Sequence, residues 1–223
     1  MSIQQNLNTI KATLPEHVTL VAVSKTKPVA DLMEAYNAGQ RIFGENKVQE
    51  MVEKWQQMPK DIKWHMIGHV QTNKVKYMVP FVNLIHGVDS LKLLTEINRQ
   101  AKRYRKVINC LLQIQIAEED TKFGLDEAEL MQLLDSEEFK QMENIRITGL
   151  MGMATFTHDD AQITKEFTRL KSIFDKLKDT QLSEQTLNLK PETLSMGMSG
   201  DYTIAINCGS TMVRIGSSIF GGR

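Results

Sequence analysis

The segment LVAVSKTKP (20–28) carries an amine at the end of an apolar run. Side chains alternate along a strand, so Val21, Val23 and Lys25 share one face. An amine above a floor of valines is poorly hydrated, and Lys27 adds a like charge two residues on. Both effects favour the uncharged form, which attacks carbonyl carbon and forms a Schiff base with a substrate or with an aldehyde cofactor. The competing and commoner case is a strand-end lysine whose stem covers apolar surface while its head reaches water.

Two glycine- and serine-rich turns bear on that choice, LSMGMSGDY (194–202) and RIGSSIFGG (214–222). Gly197 and Gly216 permit close backbone approach, and Ser195, Ser199, Ser217 and Ser218 offer hydroxyls, a donor set that suits a phosphate. Arg214 and Gly216 alternate with Val213 and Ile215, so guanidinium and glycine lie on one strand face. There an arginine bonds a phosphate or a pyridine nitrogen, or else pairs with a carboxylate. A ligand with an aldehyde for the lysine and a phosphate for the two turns is pyridoxal 5'-phosphate. A phosphosugar held by a Schiff-base aldolase is the alternative.

The elements that must position these residues follow from alternation of β-rich runs with helical patterns, repeated about eight times. The strands are VTLVAVSK (18–25), RIFG (41–44), KWHMIG (63–68), VNLIHGV (82–88), INCLLQIQI (108–116), IRITGLMGM (145–153), ETLSM (192–196) and TMVRIG (211–216). Eight such units predict a (β/α)8 barrel occupying residues 1–223 as a single domain. The lysine then stands at the mouth of the first strand, and the two turns follow the seventh and eighth, where barrels often build phosphate sites. An open doubly wound sheet is the alternative, but GxGxxG after the first strand is absent. Asp89 and Ser90 cap the pattern LKLLTEINRQAKRYRK, and Pro28 suits a first helical turn.

Lys plus Arg and Asp plus Glu both number 27, so no overall field recruits nucleic acid or an anionic membrane. Cys110 and Cys208 stand far apart with no CxxC spacing, which excludes a disulfide framework and fits a reducing compartment. No apolar run approaches the roughly 20 residues of a membrane span. The amino-terminal stretch has Ile3, Leu7, Ile10 and Leu14 at helical spacing and is no signal peptide. A cytoplasmic protein is expected.

Weaker features fall to ordinary explanations. HMIGH (65–69) spaces two histidines as zinc motifs do, but on a strand and without the glutamate of HExxH; His65 is placed near the barrel mouth and His69 in the next loop. KRYRK (102–106) is a helix end favoured by the macrodipole rather than a nucleic-acid patch. KFGL (122–125) is a turn around Gly124 that brings Lys122 to the mouth. Asn46 either bonds a cofactor oxygen or caps the following helix. Met153 is assigned to the cofactor site.

The sequence resembles the pyridoxal phosphate homeostasis proteins over nearly its whole length. The likeness runs in order through AVSKTKP, FGENKVQE, KWHMIGHVQTNK, KFGL, GLMGM, SMGMSGD and GSTMVRIGSSIFG. It implies a barrel of the alanine racemase, fold-type III kind without a C-terminal β-domain, Lys25 as the Schiff-base lysine, and Arg214 against the pyridine nitrogen. Phosphate falls to Ser195, Gly197, Ser199, Gly216 and Ser217, with Asn46 and Met153 completing the pocket. Lys47 stands where the family usually has an aromatic.

An arginine beside the ring nitrogen keeps it unprotonated, which weakens the cofactor as an electron sink. Racemisation also needs a second acid or base, which related racemases take from a tyrosine of an added domain. Tyr202 is the one tyrosine of this chain near enough to consider. The expectation is therefore a monomeric carrier that buffers pyridoxal phosphate and hands it to apo-enzymes. An amino-acid racemase of weak activity is the runner-up.

Overall fold

Eight parallel strands close into a barrel in strict chain order in this computed structural model, which describes residues 2–118, 123–179 and 188–222. They are β1 (Thr19–Val23), β2 (Ile42–Glu45), β3 (Lys63–Met66), β4 (Val82–Val88), β5 (Ile108–Gln113), β6 (Ile145–Met151), β7 (Leu189–Ser195) and β8 (Met212–Ile215). The ring closes where β1 pairs with β8, with Val21 opposite Arg214. This is the predicted (β/α)8 barrel, and the closure puts the first and last strands side by side.

Period-2 alternation divides the strand residues between two apolar regions. Val21, Leu84, Leu111, Met151 and Met212 fill the barrel interior. Residues of opposite parity, including Ala22, Phe43, Trp64, Ile85 and Leu112, join the helices in a larger shell outside it. Burial on both faces is why the strands read as near-continuous apolar runs.

The shell helices are α1 (Ile3–Thr13), α2 (Val29–Asn37), α3 (Val48–Gln57), α4 (Val75–Met78), α5 (Leu91–Arg103), α6 (Glu127–Asp135), α7 (Glu137–Lys140) and α8 (Asp160–Asp179). Two short ones follow the last strands, α9 (Tyr202–Asn207) and α10 (Ser217–Phe220). Several starts are written in the sequence. Ser2 and Asp126 form capping boxes with Gln5 and Glu129, and Ser90 Oγ accepts from Leu93 N. α5 ends at Arg103, so the basic cluster is a helix end as expected. Asn6 on α1 donates to the Ile219 carbonyl at 3.0 Å, tying the amino-terminal helix to α10 beside the site.

The strand bounds differ from expectation in two informative places. β1 stops at Val23, and Lys25 lies in the following turn rather than in the ladder. β7 starts at Leu189, three residues before the expected 192, and includes Pro191. Proline lacks a ladder donor, and it is accommodated where the β6–β7 register shifts between Ile147 and Gly149. Among the described residues no helix is long and apolar enough to cross a membrane.

Candidate active-site cavity

The strand ends that follow the chain direction surround a cavity of about 650 Å³. Lys25 enters it from the turn after β1, Asn46 from the end of β2, and Met153 from beyond β6. Ser199 comes from the turn after β7, and Arg214, Gly216, Ser217 and Ser218 from β8 and the start of α10. Eight of the residues singled out in the sequence thus meet in one place. A second lobe of about 640 Å³ shares Lys25, Thr26, Lys27, Asn46 and Gly222 and continues to Lys47 and Glu50, so Lys25 stands between the two.

Two predicted residues do not line this cavity, and the structure gives each another job. Ser195 ends β7 pointing into the barrel and is wholly buried. Its Oγ accepts from Arg214 Nη1 at 2.6 Å and lies 3.0 Å from His86 Nδ1, which uses its hydrogen-bonding capacity below the cavity floor. Gly197 has φ +99°, and a Cβ there would come within 2.7 Å of Ala205 Cβ. Its role is to let the chain turn from β7 into the α9 region, while its carbonyl accepts from Arg214 N at 2.9 Å. Gly216 lines the cavity and also packs closely, since a Cβ there would stand 2.9 Å from the Val23 carbonyl.

Arg214 is the buried cation of the site, 4% exposed. Burial lowers its pKa to about 10, with Asp201 acting in the opposite sense, so the guanidinium stays charged at neutral pH. Nη2 donates to the Gly152 carbonyl at 3.0 Å. The charge orients a chain of groups behind it. Because arginine only donates, Ser195 Oγ accepts from Arg214, and its second hydrogen bond is shared with His86 Nδ1. His86 Nε2 in turn lies 3.0 Å from His65 Nδ1, one of the two nitrogens carrying the shared proton. Both imidazoles are neutral. Burial holds His65 down to about 3, opposed by a hydrogen bond with Asn83, and burial together with His65 and Arg214 drives His86 well below the usual range. His65 therefore belongs to the barrel interior and not to the mouth, because β3 carries it inward on the face shared with Ile67.

Lys25 is part-buried in an open mouth, not dry as the valine floor suggested, because the ladder ends two residues before it. Lys27 Nζ turns away to the Gly222 carbonyl at 3.0 Å. Asn46 lines both lobes and leaves the N-cap position of α3 to Lys47. Tyr202 is turned outward, its hydroxyl 3.3 Å from Thr13 Oγ1 on α1. His69 pairs with Asp89 at 3.1 Å, apart from His65. Lys122 lies outside the described residues.

The loop after β6 forms the outer rim and was not foreseen. Glu166 of α8, buried, accepts from Thr155 N at 2.6 Å, Thr155 Oγ1 at 2.7 Å and Glu118 N at 3.2 Å. Burial alone would raise this carboxyl, but the Thr155 and Glu118 hydrogen bonds lower it. The loop it anchors presents Phe156, 94% exposed, and His158 to the cavity edge.

Fold and site together define a (β/α)8 barrel with a lysine in the turn after its first strand and a hydroxyl- and arginine-lined pocket across the β1–β8 seam. The sequence matches the family described as "Alanine racemase, N-terminal domain" over residues 1–223, and the chain belongs to that family, among its pyridoxal phosphate homeostasis proteins. It is 40% identical to the pyridoxal phosphate homeostasis protein of Pasteurella multocida over 100% of this chain and 98% of that one. With the Escherichia coli protein of the same name the identity is 37%, over 94% and 87%. PipY of Synechococcus elongatus, solved with pyridoxal phosphate bound, superposes with a TM-score of 0.87 at 34% identity over 99% and 100%. Alanine racemase from Enterococcus faecalis ("E.faecalis") shares the fold at a TM-score of 0.78 and 16% identity, this chain covering 58% of it.

Proposed function

We propose that this chain holds pyridoxal phosphate as a Schiff base on Lys25 and serves cofactor homeostasis, buffering the aldehyde and passing it to apo-enzymes. The observation that carries this reading is the meeting of Lys25 and Arg214 with Ser199, Gly216 and Ser217 in one cavity large enough for a phosphorylated pyridine. The donor set fits the group end for end. An amine stands in the turn after β1, a charged guanidinium on β8, and hydroxyls gather in the turns after β7 and β8. When bound, the group supplies an aldehyde that condenses with a primary amine, its oxygen leaving as water.

The chain's own residues then have separable tasks. Lys25 contributes the nucleophilic nitrogen. Arg214, held by Ser195 and the Gly152 carbonyl, presents its charge to a ring nitrogen and opposes protonation there. Ser199, Gly216 and Ser217 receive the phosphate, Asn46 a ring oxygen, and Met153 covers an apolar edge. The open mouth suits reversible loading, because water and an incoming amine both reach Lys25. Every residue named comes from one chain, so a monomer suffices. The cytoplasm, where two unpaired cysteines persist, is the compartment we assign.

The deciding experiment is an absorbance spectrum of the purified protein loaded with pyridoxal phosphate, beside Lys25→Ala treated alike. A yellow band in the first and none in the second is expected. Persistence of the band in Lys25→Ala would overturn the assignment.

A further inference from the structure

Among the described residues Lys25 Nζ makes no hydrogen bond or ion pair, yet both neighbours of Lys25 are pinned. On one side Ser24 N donates to the Gly44 carbonyl at 3.0 Å and Ser24 Oγ to Glu45 Oε1 at 2.6 Å, while the Ser24 carbonyl accepts from Lys54 Nζ at 2.7 Å. On the other, Thr26 N donates to Glu50 Oε1 at 2.6 Å. Lys54 joins the two halves, for its ammonium also donates to Glu45 Oε1 and Glu50 Oε1, each at 2.7 Å. All three of its N–H bonds are thereby used.

Two features make this more than incidental packing. Thr26 has φ +63°, a left-handed conformation costly for a β-branched residue, and such strain persists only where the surroundings over-determine it. The ions are also poor value as stabilisers. Lys54 is 5% exposed and Glu45 wholly buried, and Glu45 Oε2 has no partner. Burial raises the Glu45 carboxyl despite the neighbouring Lys54 charge. Apolar side chains of similar volume commonly do as well or better in such positions. What they cannot do is bond the Ser24 carbonyl and the Thr26 amide.

We infer that Lys54 and Glu50 are positioning residues for Lys25, clamping the turn at residues 24–26 in its left-handed form and so setting the reach of the amine into the cavity. The inference rests on the cofactor reading above and concerns the rate at which the amine captures the aldehyde, not the binding of ring and phosphate.

The test compares wild type with Glu50→Ala, Glu50→Gln and Lys54→Met. In unloaded protein, hydrogen exchange at the Thr26 amide is expected to speed up about tenfold in Glu50→Ala, as befits one lost hydrogen bond to a charged group. Capture of pyridoxal phosphate, followed by absorbance, is expected to slow by a similar factor of about ten. Glu50→Gln, which keeps an oxygen for Thr26 N, should recover most of both. Affinity for pyridoxine phosphate, which has ring and phosphate but no aldehyde, should stay within about twofold of wild type, well under the tenfold of one lost bond. Should Lys54→Met fail to fold, the part-exposed Glu50 variants carry the test. Unchanged Thr26 exchange in Glu50→Ala, or capture rate and pyridoxine phosphate affinity falling together, would overturn the clamp. A wild-type protein that binds neither compound would instead overturn the cofactor reading, while the exchange measurement still decides whether the turn is clamped.

Discussion

Arg214 Nη1 lies 2.6 Å from Ser195 Oγ, and that hydroxyl also reaches His86 Nδ1 at 3.0 Å. A serine committed on both sides below the cavity fixes the plane of the guanidinium and does not present its hydroxyl to a phosphate. Ser195→Ala should therefore weaken pyridoxal and pyridoxal phosphate alike, by about tenfold or more, since it strands two buried polar partners. Parallel absorbance titrations check this. A loss confined to the phosphorylated compound would put Ser195 back at the phosphate.

The opposite signature is expected from the turns. Ser199 Oγ accepts from Gly216 N at 3.3 Å, and Ser199 and Ser217 both line the cavity. On the proposed reading, replacing both with alanine removes two hydroxyls offered to the phosphate dianion, each worth ~1.5–3 kcal/mol when the partner is charged. Pyridoxal phosphate affinity should fall by at least about tenfold while pyridoxal affinity is unchanged. Equal losses for both compounds would show that these serines shape the pocket without touching phosphate.

Much of this site was legible because it depends on strand parity. Lys25 was assigned to the face it shares with Val21 and Val23, Arg214 to the inward face by alternation with Val213 and Ile215, and the barrel closes so that β1 and β8 are neighbours. What stayed hidden depends on pairings across strands. His86 shares the inward face of Leu84 in VNLIHGV, a signal that could have flagged it, but its contact with Ser195 spans 109 positions and requires the barrel's register. Glu50 and Lys54, four apart on α3, read as an ordinary exposed helix pair. Only the fold reveals that Lys54 is buried under the Lys25 turn. The position of Ser195 on the floor stayed hidden for the same reason, because one residue of strand length decides between floor and rim.

Acid should destabilise the protein through the histidine pair. An unfolded histidine titrates near 6.5, whereas buried His65 holds out to about 3. Between those values the unfolded chain binds the extra proton, so stability falls as pH drops below 6.5 and is retained above it. The cost reaches up to ~1.4 kcal/mol per pH unit for each such group. His86 acts in the same direction. Urea unfolding at pH 7 and pH 5 should show the decline, and His65→Gln, whose amide offers both a donor and an acceptor to His86, should flatten the slope. An identical slope in the variant would exclude His65 as its source.

The final expectation concerns chemistry on amino acids. Moving an α-proton from one face of a substrate to the other takes a group on each side of the cofactor plane, with proton affinity matched to the task. Lys25 provides one. Among the described residues no tyrosine lines the cavity, and Tyr202 faces Thr13. His158 lines only the exposed rim. Arg214, still charged with its pKa near 10, also opposes a second positive charge on an adjacent ring nitrogen. Loaded protein in deuterated water should thus exchange the α-proton of L-alanine, L-serine or L-lysine no faster than free pyridoxal phosphate does, with proton NMR as the measure, and His158→Ala should change nothing. Exchange well above the free cofactor and abolished by Lys25→Ala would make this barrel a racemase in its own right, with its second proton carrier still to be located.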